Sequence, residues 1–226
     1  MKKIALIIAA AAALASCNFV QVSGKSNLKA LKASDNIVTK TFEITDFNTL
    51  KCNIPASITF TQEAPASLEI STSDNIMEDL VVEQNGQILT LNFRSKWRNV
   101  PKLDIILSSS TISEMEVNGA IELVAGSGIR TDELRIEVNG ASDMDIDGLA
   151  ASKVSIDVNG ASDCDIDGLD AGALEIDING AGDCKISGKV ETADVVINGA
   201  GNIDIRGLEA GNVHSRVNGV GTVRKN

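Results

Sequence analysis

Asp143, Asp145 and Asp147 recur twenty residues on as Asp163, Asp165 and Asp167, and Glu137, Asp157 and Asp177 stand on the stretches before each Asn-Gly. This is the densest set of groups in the chain that could do chemistry. Strict alternation with apolar residues puts each triplet on one outer face of a strand, with carboxylates two positions apart about 7 Å from each other. Parallel pairing of neighbouring repeats would bring equivalent carboxylates within about 4.8 Å. Such a lattice can share a hard cation, which takes about six to eight oxygens at 2.3–2.6 Å, so weak surface calcium at Asp143, Asp145, Asp147, Asp163, Asp165 and Asp167 is one reading. The pattern is not the Gly-Gly-x-Gly-x-Asp calcium repeat, which holds its ion inside the turn. The other reading is a solvated acidic face that resists edge pairing. Paired carboxylates can also cleave glycosides or uronates, but this face offers no aromatic platform and no lysine or arginine base beside the acids.

Three smaller groups complete the inventory. Arg94-Ser95-Lys96-Trp97-Arg98 is the one cluster both basic and aromatic. Trp97 can pack on the domain beneath it, or Arg94, Lys96, Trp97 and Arg98 can contact an anionic glycan or a protein partner. Cys164 and Cys184 share one inward phase on adjacent repeats, so they can bond or pack as free thiols, and flat stacked strands constrain disulfide geometry. His214, the sole histidine, falls in an outward phase near Arg216, with no second and third ligand to make a metal trio.

Charge narrows the partners. The chain carries a formal net charge of -11, unevenly placed: from Ser113 onward there are 21 acidic and 9 basic residues. An acidic half of that kind argues against nucleic acid and against a bare anionic lipid surface, both of which select basic patches. Neutral, cationic or metal-bridged partners remain.

The first residues read as a lipoprotein signal peptide over 1–16. Lys2 and Lys3 precede an apolar run from Ile4 to Leu14, too short to span a bilayer, and Leu14-Ala15-Ser16-Cys17 supplies small residues before a cysteine. Lipidation of Cys17 with more than one acyl chain gives stable membrane attachment, where a single chain gives only marginal binding. Asn18 in place of aspartate after that cysteine favours the outer membrane over retention in the inner one. The expectation is a lipid-anchored cell-envelope protein. Cys52, Cys164 and Cys184 are too few for a disulfide framework.

The elements that must position these groups announce themselves as a repeat. Asn-Gly-Ala recurs at Asn118, Asn139, Asn159, Asn179 and Asn198, with Asn-Gly-Val at Asn218, at spacings of 21, 20, 20, 19 and 20 residues. Around each Asn-Gly the apolar residues alternate, as in Leu134, Ile136, Val138, Met144 and Ile146, then Val154, Ile156, Val158, Cys164 and Ile166. Period two means strands with one buried face. Asn-Gly supplies a corner, and Gly148, Gly168, Gly188 and Gly207 supply a second. Antiparallel hairpins at each Asn-Gly are the competing arrangement. Identical phase in every repeat, and the absence of Phe, Trp and Tyr from Ser113 to Asn226, favour stacked parallel coils. All five Phe, Trp97 and all three Pro precede Ser113. The expected fold is therefore all-β: a β-solenoid, or parallel β-helix of about twenty-residue coils over 113–226, with an N-terminal β cap over 40–112 and a flexible tether over 17–39. Strands in the cap are expected at Thr41–Ile44, Ser57–Thr61, Ser67–Ser71, Ile88–Phe93 and Leu103–Leu107.

From Lys40 to Asn226 this arrangement resembles the head GIN domain family, described as putative auto-transporter adhesins. The residues that carry the resemblance are the lipoprotein signal, the segment Lys40-Thr-Phe-Glu-Ile-Thr-Asp-Phe-Asn-Thr-Leu50, the Leu-Thr-Leu strand at Leu89, and the turns Asn-Gly-Ala-Gly-Asp at Asn179 and Asn-Gly-Ala-Gly-Asn at Asn198. Asn139 and Asn159 depart from it, with Ser in place of the second Gly. The resemblance implies a β-helical envelope module and brings no catalytic residues. The functional expectation is a non-enzymatic adhesin or assembly module, without a resident cofactor, able to form a homo-oligomer through exposed faces or ends. A polymer- or calcium-binding module and a polysaccharide-active solenoid are the alternatives.

Overall fold

The computed structural model describes residues 32–95, 100–101, 103–126 and 128–225, and over them the fold is all-β. The strands are β1 (Ile37–Phe42), β2 (Thr49–Cys52), β3 (Ala56–Gln62), β4 (Ser67–Ser73), β5 (Leu80–Asn85), β6 (Ile88–Phe93), β7 (Leu103–Ser109), β8 (Glu114–Ala125), β9 (Ile129–Val217) and β10 (Val220–Arg224). A single helical turn, α1 (Asp74–Met77), links β4 to β5.

β9 is an 89-residue extended run, which drawn straight would exceed about 280 Å. It is bent back at Gly140, Gly148, Gly160, Gly168, Gly180, Gly188 and Gly199, whose φ values lie between 70° and 156°. Of the expected second-corner glycines, Gly207 alone lies outside that region. The pairing is parallel and one repeat out of phase. β8 lies on β9 from Glu114 opposite Arg135 to Ala125 opposite Ile146. β10 lies on β9 from Val220 opposite Ala200 to Arg224 opposite Asp204. In these two pairs, equivalent residues of successive repeats are neighbours across the strand pair.

The inward ladder is continuous. Leu134, Ile136, Val138, Met144 and Ile146 are buried, as are Val154, Ile156, Val158, Cys164 and Ile166 in the next repeat. At the C-terminal end the burial fails: Val217 is 38% exposed and Val220 82%.

The N-terminal part is joined to the repeats more intimately than the sequence suggests. β2 pairs in parallel with β8 on one side and β6 on the other, and β3 lies between β7 and β8, again in parallel. Cys52 is opposite Val117 and Ala56 opposite Ile121. Residues 49–62 therefore form a further layer in the register of the repeats, with Asn53-Ile54-Pro55 where the others have Asn-Gly-Ala. The missing Asn-Gly is why it escaped the repeat count. β1 and β4 pair antiparallel, beginning with Ile37 opposite Ser73, so part of the segment expected to be a tether is a strand. Of the five expected cap strands, Ile88–Phe93 has the expected ends and the other four are shifted; β2, β5 and α1 are additional elements. Phe47 and Phe60 are fully buried in this part of the core, as its aromatic composition implies.

Candidate functional site

An outer sheet face is assembled from the repeats, and the expected aspartates share it. Asp143 stands opposite Glu122 and Asp145 opposite Val124 of β8. One repeat on, the carboxylates are engaged by the repeat that follows. Asp163 Oδ1 accepts the Asp183 backbone N–H at 3.2 Å, Asp167 Oδ1 accepts the Ser187 hydroxyl at 2.7 Å, and Lys185 Nζ donates to Asp165 Oδ2 at 3.4 Å. Asp183 Oδ1 in turn accepts the backbone and side-chain N–H groups of Asn202, both at 2.9 Å. Lys185 is thus a base beside the acids that the sequence did not place there, because its partner lies twenty residues away.

A shallow groove of about 480 Å³ runs over this face, lined by Asp143, Asp163, Asp165, Asp183, Asp204 and Lys185, with Cys164 and Cys184 at its base. Asp165 Oδ1 has no hydrogen-bond partner there, although the side chain as a whole is about half exposed. Among the described residues no group of three or more His, Cys, Asp or Glu side chains converges as metal ligands. Cys52, Cys164 and Cys184 are all free and buried. The neighbouring Cys184 thiol, then burial, push the Cys164 thiol well up, and burial pushes Cys52 up to about 11, so neither of these two is a ready nucleophile.

On the opposite flank of the Asn-Gly corner a second charged column holds its own partners. Lys51 reaches Glu116 at 2.6 Å, and Arg135 bridges Glu137 at 3.0 Å and Asp157 at 2.7 Å. Lys51 and then Asn118 lower the Glu116 carboxyl; Asn139 and then Arg135 lower Glu137; back on the aspartate face, Arg206 brings Asp204 down to about 2. A carboxylate lowered in the fold contributes stability that is present above its unfolded value and lost as pH falls through the folded one. Melting temperature is therefore expected to hold near neutrality and to decline from the ordinary carboxylate range toward pH 2. Thermal melts across that window check it. Because the groups are exposed, the decline is expected to be gradual and reduced by salt.

Between the two flanks runs a column of amides. Asn118 Nδ2 donates to Asn53 Oδ1 at 2.8 Å, Asn139 to Asn118 at 3.0 Å, Asn159 to Asn139 at 3.1 Å and Asn179 to Asn159 at 3.3 Å. Asn198 and Asn218 continue it at 2.9 and 2.8 Å. The column leaves no asparagine free for catalysis at those positions; the positive φ of each corner belongs to the glycine that follows. Asn159→Val removes both bonds at its centre, at an expected cost of roughly 1–3 kcal/mol. Hydrogen exchange is expected to rise around residues 139–179 and to stay unchanged in β1 and β4.

Of the basic cluster, Arg94 is held by its backbone N–H to Asp79 O at 3.0 Å and by its guanidinium to Glu78 O at 3.3 Å. Lys96, Trp97 and Arg98 lie outside the described residues, as do Cys17 and the expected signal peptide. Among the described residues no helix is long and apolar enough to cross a membrane.

Comparison with known proteins places this architecture. The model of the family described as "Putative auto-transporter adhesin, head GIN domain" matches residues 46–226. The crystal structure of a putative adhesin from Bacteroides fragilis NCTC 9343 is similar at a TM-score of 0.67 and 23% identity, over 87% of this chain and all of that one. A putative adhesin from Parabacteroides distasonis ATCC 8503 is similar at 0.67 and 18% identity, over 84% of this chain and 97% of its own. A protein from the same organism, described as a putative lipid binding protein, is similar at 0.50 and 15% identity, over 86% and 98%. At these identities the likeness is one of fold. No curated protein matches the chain.

Proposed function

The chain belongs to the head GIN domain family, and from that premise we propose that it is a non-enzymatic, lipid-anchored cell-envelope protein whose repeats wind as a β-solenoid and present a surface for adhesion or assembly. The solenoid reading is supported by parallel pairing at an offset of one repeat, with β8 on β9 and β10 on β9. The observation that carries the functional reading is the acidic outer face. Asp163, Asp165, Asp167 and Asp183 on this face accept hydrogen bonds from the next repeat, the nearby thiols are buried, and the face is a regular, charged display surface. Such a face suits recognition by repetition, where many weak contacts act together.

The test is a binding screen of the full chain against immobilised glycans and extracellular-matrix proteins. Saturable binding to at least one polymer, above that of an unrelated protein of equal charge, is the expected result. Turnover of a sugar polymer would move the chain to the enzymes, and binding to none would remove adhesion.

Weak calcium at Asp143, Asp145, Asp147, Asp163, Asp165 and Asp167 is the second reading, favoured by the unpartnered Asp165 Oδ1 over the groove. On that reading millimolar calcium stabilises the fold by about 1–2 kcal/mol, a shift of a few degrees in melting temperature. Sodium chloride of equal ionic strength would not reproduce it. Calorimetry showing neither heat of binding nor a shift assigns the face to solvation.

A further inference from the structure

A concavity of about 930 Å³ lies on the other corner of the repeats, away from the aspartates. Its floor is a column of small side chains, Thr131, Ala151, Ala171 and Val190, one from each of four successive repeats. Ala171 and Val190 are buried, at 7% and 3% exposure, so the floor is firm. Beside that column, Gly172 sits where a Cβ would lie 2.8 Å from Ser152 O, which keeps that wall low.

The rims carry both signs of charge. Arg130 and Asp132 flank the floor at one end, Lys189 and Glu191 flank it at the other, and Asp170 stands between. Their side chains have no hydrogen bond or ion pair among the described residues, whereas the carboxylates of the aspartate face at Asp163, Asp165, Asp167 and Asp183 are engaged by neighbours. The two ends are three repeats apart, about 14 Å at the spacing of paired strands.

We propose that this groove is a binding site for an extended polypeptide segment carrying an acidic and a basic side chain about four residues apart. A fully extended chain advances about 3.4 Å per residue, so four residues cover the distance between the charged ends. Small alternate side chains fit a floor of alanine, valine and threonine methyls. A purely anionic polymer would meet Asp132, Asp170 and Glu191, and a purely cationic one would meet Arg130 and Lys189. The groove lining contains no aromatic ring on which a neutral sugar could stack. The inference rests on the adhesion reading and names the class of partner.

The full chain should be panned against a display library of random twelve-residue peptides. Selected peptides are expected to share an acid and a base about four residues apart. Synthetic versions are expected to lose at least tenfold in affinity for K189E, and to regain most of it in the double variant K189E/E191K, which returns one cation and one anion to that end of the groove. Both positions are exposed, and unchanged melting temperatures of the variants would establish that they fold. Selection of uniformly basic peptides, affinity unaffected by K189E, or capture of neutral oligosaccharides in place of peptides would each overturn the assignment. Adhesion that survives K189E and R130E unchanged would overturn the groove while leaving the adhesion reading intact; absence of adhesion in the parent chain removes that reading instead.

Discussion

Gly160→Ala is expected to unfold the central repeats. A Cβ at that position would lie 1.9 Å from Gly140 O and 2.9 Å from Gly140 C, both backbone atoms of the preceding repeat, and Gly160 has a φ of 151°. Nothing flexible stands in the way to yield. Strain and overpacking together amount to roughly 2–6 kcal/mol, comparable with the whole stability of an ordinary domain, roughly 5–15 kcal/mol. A Cβ built at Gly180 would likewise lie 1.9 Å from Gly160 O, so the backbones approach as closely at the next repeat and leave little slack to absorb a displacement. Gly86→Ala is the control. Gly86 has a φ of 60° and nothing within 4 Å of its Cβ position, so only the conformational term remains. Chemical denaturation of both variants is expected to give a large loss for Gly160→Ala and a loss of about 1 kcal/mol for Gly86→Ala. Equal losses would mean that close approach between repeats contributes nothing.

The same column explains what could be read in advance. A spacing of 20 residues with apolar side chains in constant phase leaves few ways to bury one face, and parallel stacking follows once an Asn and a Gly must meet their own kind in the next repeat. The outward placement of Asp143, Asp163 and their neighbours was legible for the same reason, because period two fixes the face. The layer at residues 49–62 was not legible. Its register with β8 depends on pairing across 65 residues, and Asn53 is followed by Ile54 and Pro55 rather than by Gly and Ala. No periodicity in the sequence marks it, although its Asn53 starts the amide column.

Partnership on the acidic face was also beyond local reading. Lys185 and Asp165, or Ser187 and Asp167, meet only because the repeats stack in register. A carboxylate read alone suggests a ligand waiting for a cation; read with the repeat that follows it is already an acceptor. The groove over Ala151 and Ala171 shows the opposite case. Its charges come from positions where the repeat is least regular, Arg130, Asp170 and Lys189 occupying equivalent places in different repeats, and irregularity within a regular ladder is where a particular partner can be specified.

Cys17→Ala is expected to move the protein from the membrane to the soluble envelope fraction almost completely. The reasoning lies in the sequence: a basic start at Lys2 and Lys3, an apolar run to Leu14 and small residues before the cysteine make a coherent export and lipidation signal. Attachment by two or more acyl chains is stable, at about 0.8 kcal/mol per buried methylene, while the acidic charge of the remainder of the chain disfavours binding to anionic lipid. On the proposed reading, removing the thiol removes the whole anchor, since that signal contains no other cysteine. Fractionation of cells carrying either form, with mass spectrometry of the N-terminal peptide, decides the matter. An acylated peptide in the parent and its loss together with membrane retention in the variant is the expected pair of results. Retention without Cys17, and no acyl mass in the parent, would mean that the protein is held at the envelope through its folded surface, and the burden of anchoring would pass to the sheet faces and the open end at Val217 and Val220.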